Sequence, residues 1–163
     1  MAGFDHSGKV FAVTGGSRGI GEAIVRALCA EGAYVFATYN SQPEKANAIA
    51  EAITNAGGKV VYQQVDVSSE EQVKAFIDSV VQQGGRIDGL VNNAGVTKDG
   101  LIMRMSVADW NTVINTNLTG VFLTCRAACR PMMSQRNGRI VNIGSIVGLS
   151  GNAGQVNYSS AKA

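Results

Sequence analysis

The stretch Thr14-Gly15-Gly16-Ser17-Arg18-Gly19-Ile20-Gly21 constrains this chain most. An apolar run, Val10-Phe11-Ala12-Val13, leads into it and reads as a buried strand. A helical pattern follows, with Ile20, Ala23, Ile24, Ala27 and Leu28 spaced along one face. The glycines therefore stand at a strand-to-helix turn. Glycine accepts φ > 0 and lets backbone approach a ligand with no Cβ in the way. The helix that begins there offers unpaired N–H groups and its positive dipole end, which suits a phosphate. The spacing Gly15-x-x-x-Gly19-x-Gly21 is neither G-x-G-x-x-G nor a Walker pattern, which ends in Gly-Lys-Ser/Thr. Taken alone it fits a tight turn with close helix–strand packing as well as a dinucleotide site.

Strand and helix signals alternate along the rest of the chain. Residues 33–38 predict a second strand, and Pro43 suits the first turn of a helix carrying Ala46, Ile49, Ala50 and Ile53. That helix stops at Gly57-Gly58, and residues 59–65 predict a third strand. Ser68-Ser69-Glu70-Glu71 reads as a capping box for a helix with Val73, Phe76, Ile77, Val80 and Val81 inward. Residues 87–91 predict a fourth strand, followed by Asn92-Asn93-Ala94-Gly95. With Ser106 as N-cap, one long helix is expected from Val107 toward Met133. Its apolar stripe is Trp110, Val113, Ile114, Asn117, Leu118, Val121, Phe122, Cys125 and Cys129. Residues 139–143 predict a fifth strand, and a new helix begins before the last residue, Ala163. This alternation specifies an α/β fold with a doubly wound parallel sheet in a single domain.

Composition removes several functions. Lys plus Arg exceed Asp plus Glu by 14 − 12 = 2, with no basic stripe, so no nucleic-acid partner is expected. No run approaches the roughly 18 apolar residues of a membrane span. Residues 1–8 lack the basic and apolar regions of a signal peptide. Cys29, Cys125 and Cys129 lie in apolar helical patterns and read as buried reduced thiols. A cytoplasmic location follows, with an organelle matrix left open. The only histidine is His6, in the N-terminal tail, where it reads as solvated. A Ser–His–Asp hydrolase and a His-based metal site both lack their residues, so no metal is expected.

In a doubly wound sheet, ligands bind beyond the carboxyl ends of the strands. Residues 92–95 and Ser145 are therefore candidates. Asn117 is a polar residue in an apolar stripe. A buried amide costs ~1–3 kcal/mol without partners, so it is either structural or functional. Tyr158 and Lys162 are four apart and share one face of a helix. An ammonium near a phenol favours the phenolate, which suits a general acid that serves a carbonyl oxygen. A surface pair has the same spacing. The end of the second strand reads Thr38-Tyr39-Asn40-Ser41 and carries no carboxylate to bind a ribose 2′-hydroxyl. Arg18 offers a cation to a 2′-phosphate instead. A dinucleotide bound here is expected to carry a 2′-phosphate, as NADPH does.

In this order, the motifs resemble those of the short-chain dehydrogenase/reductase family. Thr14 to Gly21 resembles its T-G-x-x-x-G-x-G, and Asn92-Asn93-Ala94-Gly95 its N-N-A-G. Asn117, Ser145, Tyr158 and Lys162 resemble its catalytic tetrad. The resemblance implies a Rossmann-type fold. It implies that Tyr158 protonates the nascent alkoxide and that Lys162 binds the nicotinamide ribose. Ser145 would hydrogen-bond the substrate carbonyl, and Asn117 would hold a water in a relay to Lys162. Cofactor contacts would come from Gly15, Ser17, Arg18, Gly19, Ile20, Gly21, Asn40, Ser41, Asp66, Val67, Asn92, Ala94, Gly95, Tyr158 and Lys162. Asp66 would meet the adenine and Asn92 would line the ribose side.

Residues 98–105 and 142–148 resemble the branch of the family that reduces 3-oxoacyl thioesters of acyl carrier protein during fatty-acid synthesis. Acetoacetyl-CoA reductases and other ketone reductases are similar. Arg136 resembles a basic residue that docks the acidic carrier, and the resemblance implies a homotetramer. Family members run longer. The expectation is that residues 1–163 are the NAD(P)-binding domain without the C-terminal substrate-binding part. A truncated, non-catalytic dinucleotide-binding module is the alternative of another class.

Overall fold

The computed structural model describes residues 4–163, and its fold is a five-stranded parallel sheet with helices on both faces. Three of the eight residues read as lacking a leader, Met1 to Gly3, lie outside the described residues. The chain runs β1 (Val10–Val13), α1 (Gly19–Ala30), β2 (Tyr34–Tyr39), α2 (Pro43–Asn55), β3 (Lys59–Gln64), α3 (Glu70–Gly84) and β4 (Gly89–Asn92). After a 3₁₀ turn at Ile102–Arg104 come α4 (Val107–Ile114), α5 (Gly120–Ser134), β5 (Arg139–Asn142), α6 (Val147–Ser150) and α7 (Val156–Lys162). The sheet order is β3-β2-β1-β4-β5. The chain thus winds outward from β1 in one direction, then returns to wind out in the other. The switch lies between β1 and β4, where a ligand crevice opens in this topology.

Period-two alternation builds two cores. Ala12, Phe36 and Leu90 point to one face and pack on Phe76 and Ile77 of α3 and on Leu123 and Met132 of α5. Val13, Val35, Ala37 and Val91 point to the other, against Val25 and Cys29 of α1 and Ile49 and Ile53 of α2. Phe36 is wholly buried, and truncating such a ring to alanine costs about 3–5 kcal/mol. Among the described residues no helix is long and apolar enough to cross a membrane.

Five sequence expectations need correction. The buried stripe of α1 is Gly21, Val25 and Cys29, with Ile24 and Leu28 beside it, whereas Ile20 is exposed. The stripe starts one residue later because Gly21, the residue without a side chain, is the one that meets the Gly15 carbonyl. The expected single long helix is broken by a π-helical turn at Asn115–Thr119. That extra residue rotates the faces on either side of it. Leu118, Phe122 and Cys129 consequently face outward, while Gly120, Leu123, Thr124, Ala128 and Met132 face the core. Only Cys29 is a fully buried thiol, pushed up by burial to about 11. Cys125 is half-buried, and Cys129 is exposed. His6 is half-buried rather than solvated, stacked on Phe4 and edge-on to Phe11. The capping box at Ser69 is only half formed. Ser69 Oγ accepts from the Gln72 amide, but the Gln72 side chain accepts from the Asp66 N–H.

Candidate active site

The glycine turn is held from three sides. Gly15 has φ +67, and a Cβ there would lie 2.9 Å from the Cα of Ala94. A Cβ on Gly21 would lie 2.2 Å from the Gly15 carbonyl oxygen. Both positions therefore exclude any side chain, and both bring backbone against backbone. The Thr38 hydroxyl accepts from the Gly15 N–H at 3.0 Å, and the Tyr62 hydroxyl donates to the Gly16 carbonyl at 2.7 Å. The Asn93 amide donates to the carbonyls of Thr14 and Gly15. In return, Thr14 Oγ1 accepts from the Asn93 and Ala94 amides. β1 and β4 are thus laced together just beyond their hydrogen-bonded ends.

A cleft of about 470 Å³ opens there. It brings together Gly15, Ser17, Arg18, Gly19, Ile20, Asn40, Ser41, Asp66, Val67, Ala94 and Gly95. Arg18 is the N-cap of α1, and its side chain does not close the helix end. The first-turn N–H groups of α1 have no intrahelical partner, so they and the dipole favour an anion. The chemistry of this lining suits a dinucleotide pyrophosphate. Asp66 is the cleft's one carboxylate, and its Oδ1 is engaged by the Ser68 N–H and hydroxyl.

Four residues expected to contact the cofactor do not line the cleft: Gly21, Asn92, Tyr158 and Lys162. Gly21 is buried behind the turn. Asn92 is 2% exposed, and its amide donates to Asn142 Oδ1 while its carbonyl oxygen accepts from Thr124. Asn92 ties β4 to β5 and α5, and the open positions at this strand end are the next three residues. Thr38, Tyr39, Gln42, Val65, Asn93, Val96 and Thr116 complete the lining. Of these, Asn93 sits inside the motif and was visible in it. Tyr62 carried no signal, since it belongs to an edge strand and reaches the turn only through topology.

Asn117, Ser145, Tyr158 and Lys162 stand outside that cleft, around the packed group α4, the π turn, α6 and α7. Asn117 lies in the π turn and is 2% exposed. Its amide copies a peptide, accepting from the Val96 N–H and donating to the Val96 carbonyl, both at 2.8 Å. Ser145 follows β5 and is half-buried. Tyr158 and Lys162 are four apart on α7, and both are half-buried. Burial holds the Lys162 ammonium below its ordinary pKa, and it donates to the Ile143 carbonyl at 2.7 Å. Arg136 is exposed, with φ +52, in the turn before β5. It sits at the opposite end of that strand from Ser145.

A sequence profile described as short chain dehydrogenase matches residues 9–163. Similar curated proteins include the 3-oxoacyl-[acyl-carrier-protein] reductase of Synechocystis, 45% identical over 95% of this chain and 63% of its own length. The enzyme of that name from Chlamydia pneumoniae is 46% identical over 96% of this chain and 62% of its own length. That of Vibrio harveyi is 47% identical over the same shares. The chain thus spans about 62% of the length of these relatives. With the sheet order, the glycine turn and this likeness agreeing, the chain belongs to the short-chain dehydrogenase family of oxidoreductases.

Proposed function

We propose that this chain forms the dinucleotide-binding and proton-transfer part of an NADPH-dependent reductase. Its substrate is a 3-oxoacyl thioester of acyl carrier protein, reduced to the 3-hydroxyacyl thioester. The observation that carries this reading is the glycine cradle, whose crowding leaves no room for a Cβ and whose cleft includes Arg18. The residues present fit a nicotinamide dinucleotide. The α1 N-terminus would hold its pyrophosphate, and Ala94 and Gly95 would flank its ribose. Arg18 would meet a 2′-phosphate, because β2 ends without a carboxylate. When bound, the cofactor supplies the hydride.

The chain's own residues handle charge and the proton. Ser145 Oγ donates to the substrate carbonyl oxygen and stabilises the charge that develops there. Tyr158 gives its phenolic proton to that oxygen. The Lys162 ammonium, fixed on Ile143, keeps a positive charge beside this group. Asn117 anchors the wall opposite and, with a second lone pair on Oδ1, accepts from a relay water. In the homotetramer that the resemblance implies, exposed Phe122 and Met133 of α5 are available for subunit packing.

The test uses the full-length protein. NADPH oxidation is followed with acetoacetyl thioesters of acyl carrier protein and CoA, and with a non-thioester ketone. Turnover on the carrier thioester that is lost in Tyr158→Phe, with NADPH affinity kept, supports the reading. Faster turnover on the simple ketone overturns the substrate assignment. Arg136→Glu should raise KM for the carrier thioester and leave the CoA thioester unaffected. Equal effects on both would remove Arg136 as a docking residue.

A further inference from the structure

We propose that Asn157 is a positioning residue for Tyr158, clamping the tyrosine helix to the loop that follows β4. Asn157 is wholly buried. Its amide donates to the Lys98 carbonyl at 2.9 Å, and its carbonyl oxygen accepts from the Tyr158 N–H at 2.8 Å. Both arms of the side chain are therefore spent, one on a segment 59 residues earlier and one on the next residue's backbone, which carries the phenol. Two neighbouring bonds flank the clamp. The Gly100 N–H donates to the Gly154 carbonyl at 2.8 Å, and the Gln155 amide donates to both carboxylate oxygens of Asp99 at 3.1 Å.

The other end of the same loop is held in the same way. Asn117 binds both backbone polar atoms of Val96. Ala94, Gly95 and Val96 line the dinucleotide cleft. Two buried asparagines thus pin residues 96–98 between the cleft and Tyr158. The clamp ties the first turn of α7 to the loop. A group that gives up a proton in a reaction must be placed to within about an ångström, and a misplacement of that size can cost about 100-fold in rate. Asn157 supplies that placement through the Tyr158 backbone.

This inference rests on the reductase reading above, and its test separates the two. Asn157→Ala and Asn157→Asp are made in the full-length protein, with Ser160→Ala, an exposed site on the same helix, as control. Asn157→Asp keeps the acceptor for the Tyr158 N–H but presents an oxygen to the Lys98 carbonyl. The expected result is a fall in kcat of about tenfold or more in both variants. KM and NADPH affinity should stay near wild type, and the pH profile of kcat should change shape. Amide hydrogen exchange should speed up at Tyr158 and residues 96–100, with β1 to β4 unchanged. Ser160→Ala should leave every readout unchanged. A wild-type kcat and pH profile in variants that remain folded would overturn the proposal. So would unchanged exchange at Tyr158. If the wild type itself turns over no ketone, the reductase reading fails. The exchange comparison alone then decides whether Asn157 clamps α7 to the loop.

Discussion

The Lys162 ammonium donates to the Ile143 carbonyl oxygen at 2.7 Å, two residues before Ser145. One bond thereby relates the cation on α7 to the strand end that carries the serine. Burial disfavours the charged form and holds Lys162 below its ordinary 10.5. Between the depressed pKa and 10.5 the unfolded chain binds more protons than the native one, so stability rises with pH in that window. The desolvation cost is fully present below the depressed pKa and is relieved as pH rises through it. Chemical denaturation of wild type and Lys162→Met from about pH 8 to about pH 10 should show the difference moving in favour of the wild type. In activity, Lys162→Met should lose about 100-fold or more in kcat.

Gly148 in α6 touches the same residue from the other side. A Cβ there would lie 2.1 Å from the Lys162 carbonyl oxygen and 2.5 Å from its carbon. Neither atom can yield without moving the helix. Gly148→Ala should therefore push α6 away from α7 and lower kcat by about tenfold to 100-fold. NADPH binding, measured by fluorescence titration, should stay close to wild type because the glycine cradle is untouched. A variant with full kcat would mean that α6 shifts without consequence for Lys162.

No carboxylate stands at the end of β2, where Thr38, Tyr39, Asn40 and Ser41 follow one another. Tyr39, Asn40 and Ser41 line the cleft with Arg18, and the cleft's one carboxylate, Asp66, is engaged by Ser68. Tyr39→Asp would place a carboxylate where a 2′-phosphate is expected. It should repel that phosphate and accept from a 2′-hydroxyl. The ratio of kcat/KM for NADPH to that for NADH should fall by tenfold or more, on the order of one charge pair in a partly solvated site. An unchanged ratio would count against the Arg18 assignment.

The strands and the cradle were legible because they depend on local signals. Val10 to Val13 is a short apolar run, and Gly15, Gly19 and Gly21 mark a turn that side chains would block. The interruption at Asn115–Thr119 was not legible. A π turn inserts one residue without changing the apolar spacing on either side, so the stripe through Leu118, Phe122 and Cys129 read as continuous when its second half faces outward. Asn92 was assigned to the cleft from its place in the motif. Its burial came from Thr124 and Asn142, 32 and 50 residues away. Asn157 carries no local signal, because its partner, Lys98, lies 59 residues earlier.

Asp88 anchors the end of the sheet opposite the cleft. Its side chain is 6% exposed and meets Arg86 through two hydrogen bonds, at 2.7 and 2.6 Å. It also accepts from the Val10 N–H at 3.0 Å and from Asn137 at 3.2 Å, with Lys9 at 3.7 Å. These contacts join the start of β1 to β4 and to the turn before β5. Desolvation is the largest single influence and raises the pKa, but the Arg86 bond, the Val10 N–H and the two cations together carry it below its ordinary value. A depressed carboxylate stabilises the fold above its unfolded pKa of about 3.9 and loses that contribution as pH falls through the native value. Asp88→Asn removes the charge that Arg86 and Lys9 face and should cost about 2 kcal/mol at neutral pH. Urea unfolding at about pH 7 and about pH 3 checks both parts, since the variant should start less stable and lose less on acidification. Equal acid sensitivity in the two proteins would assign the acid limb to other carboxylates.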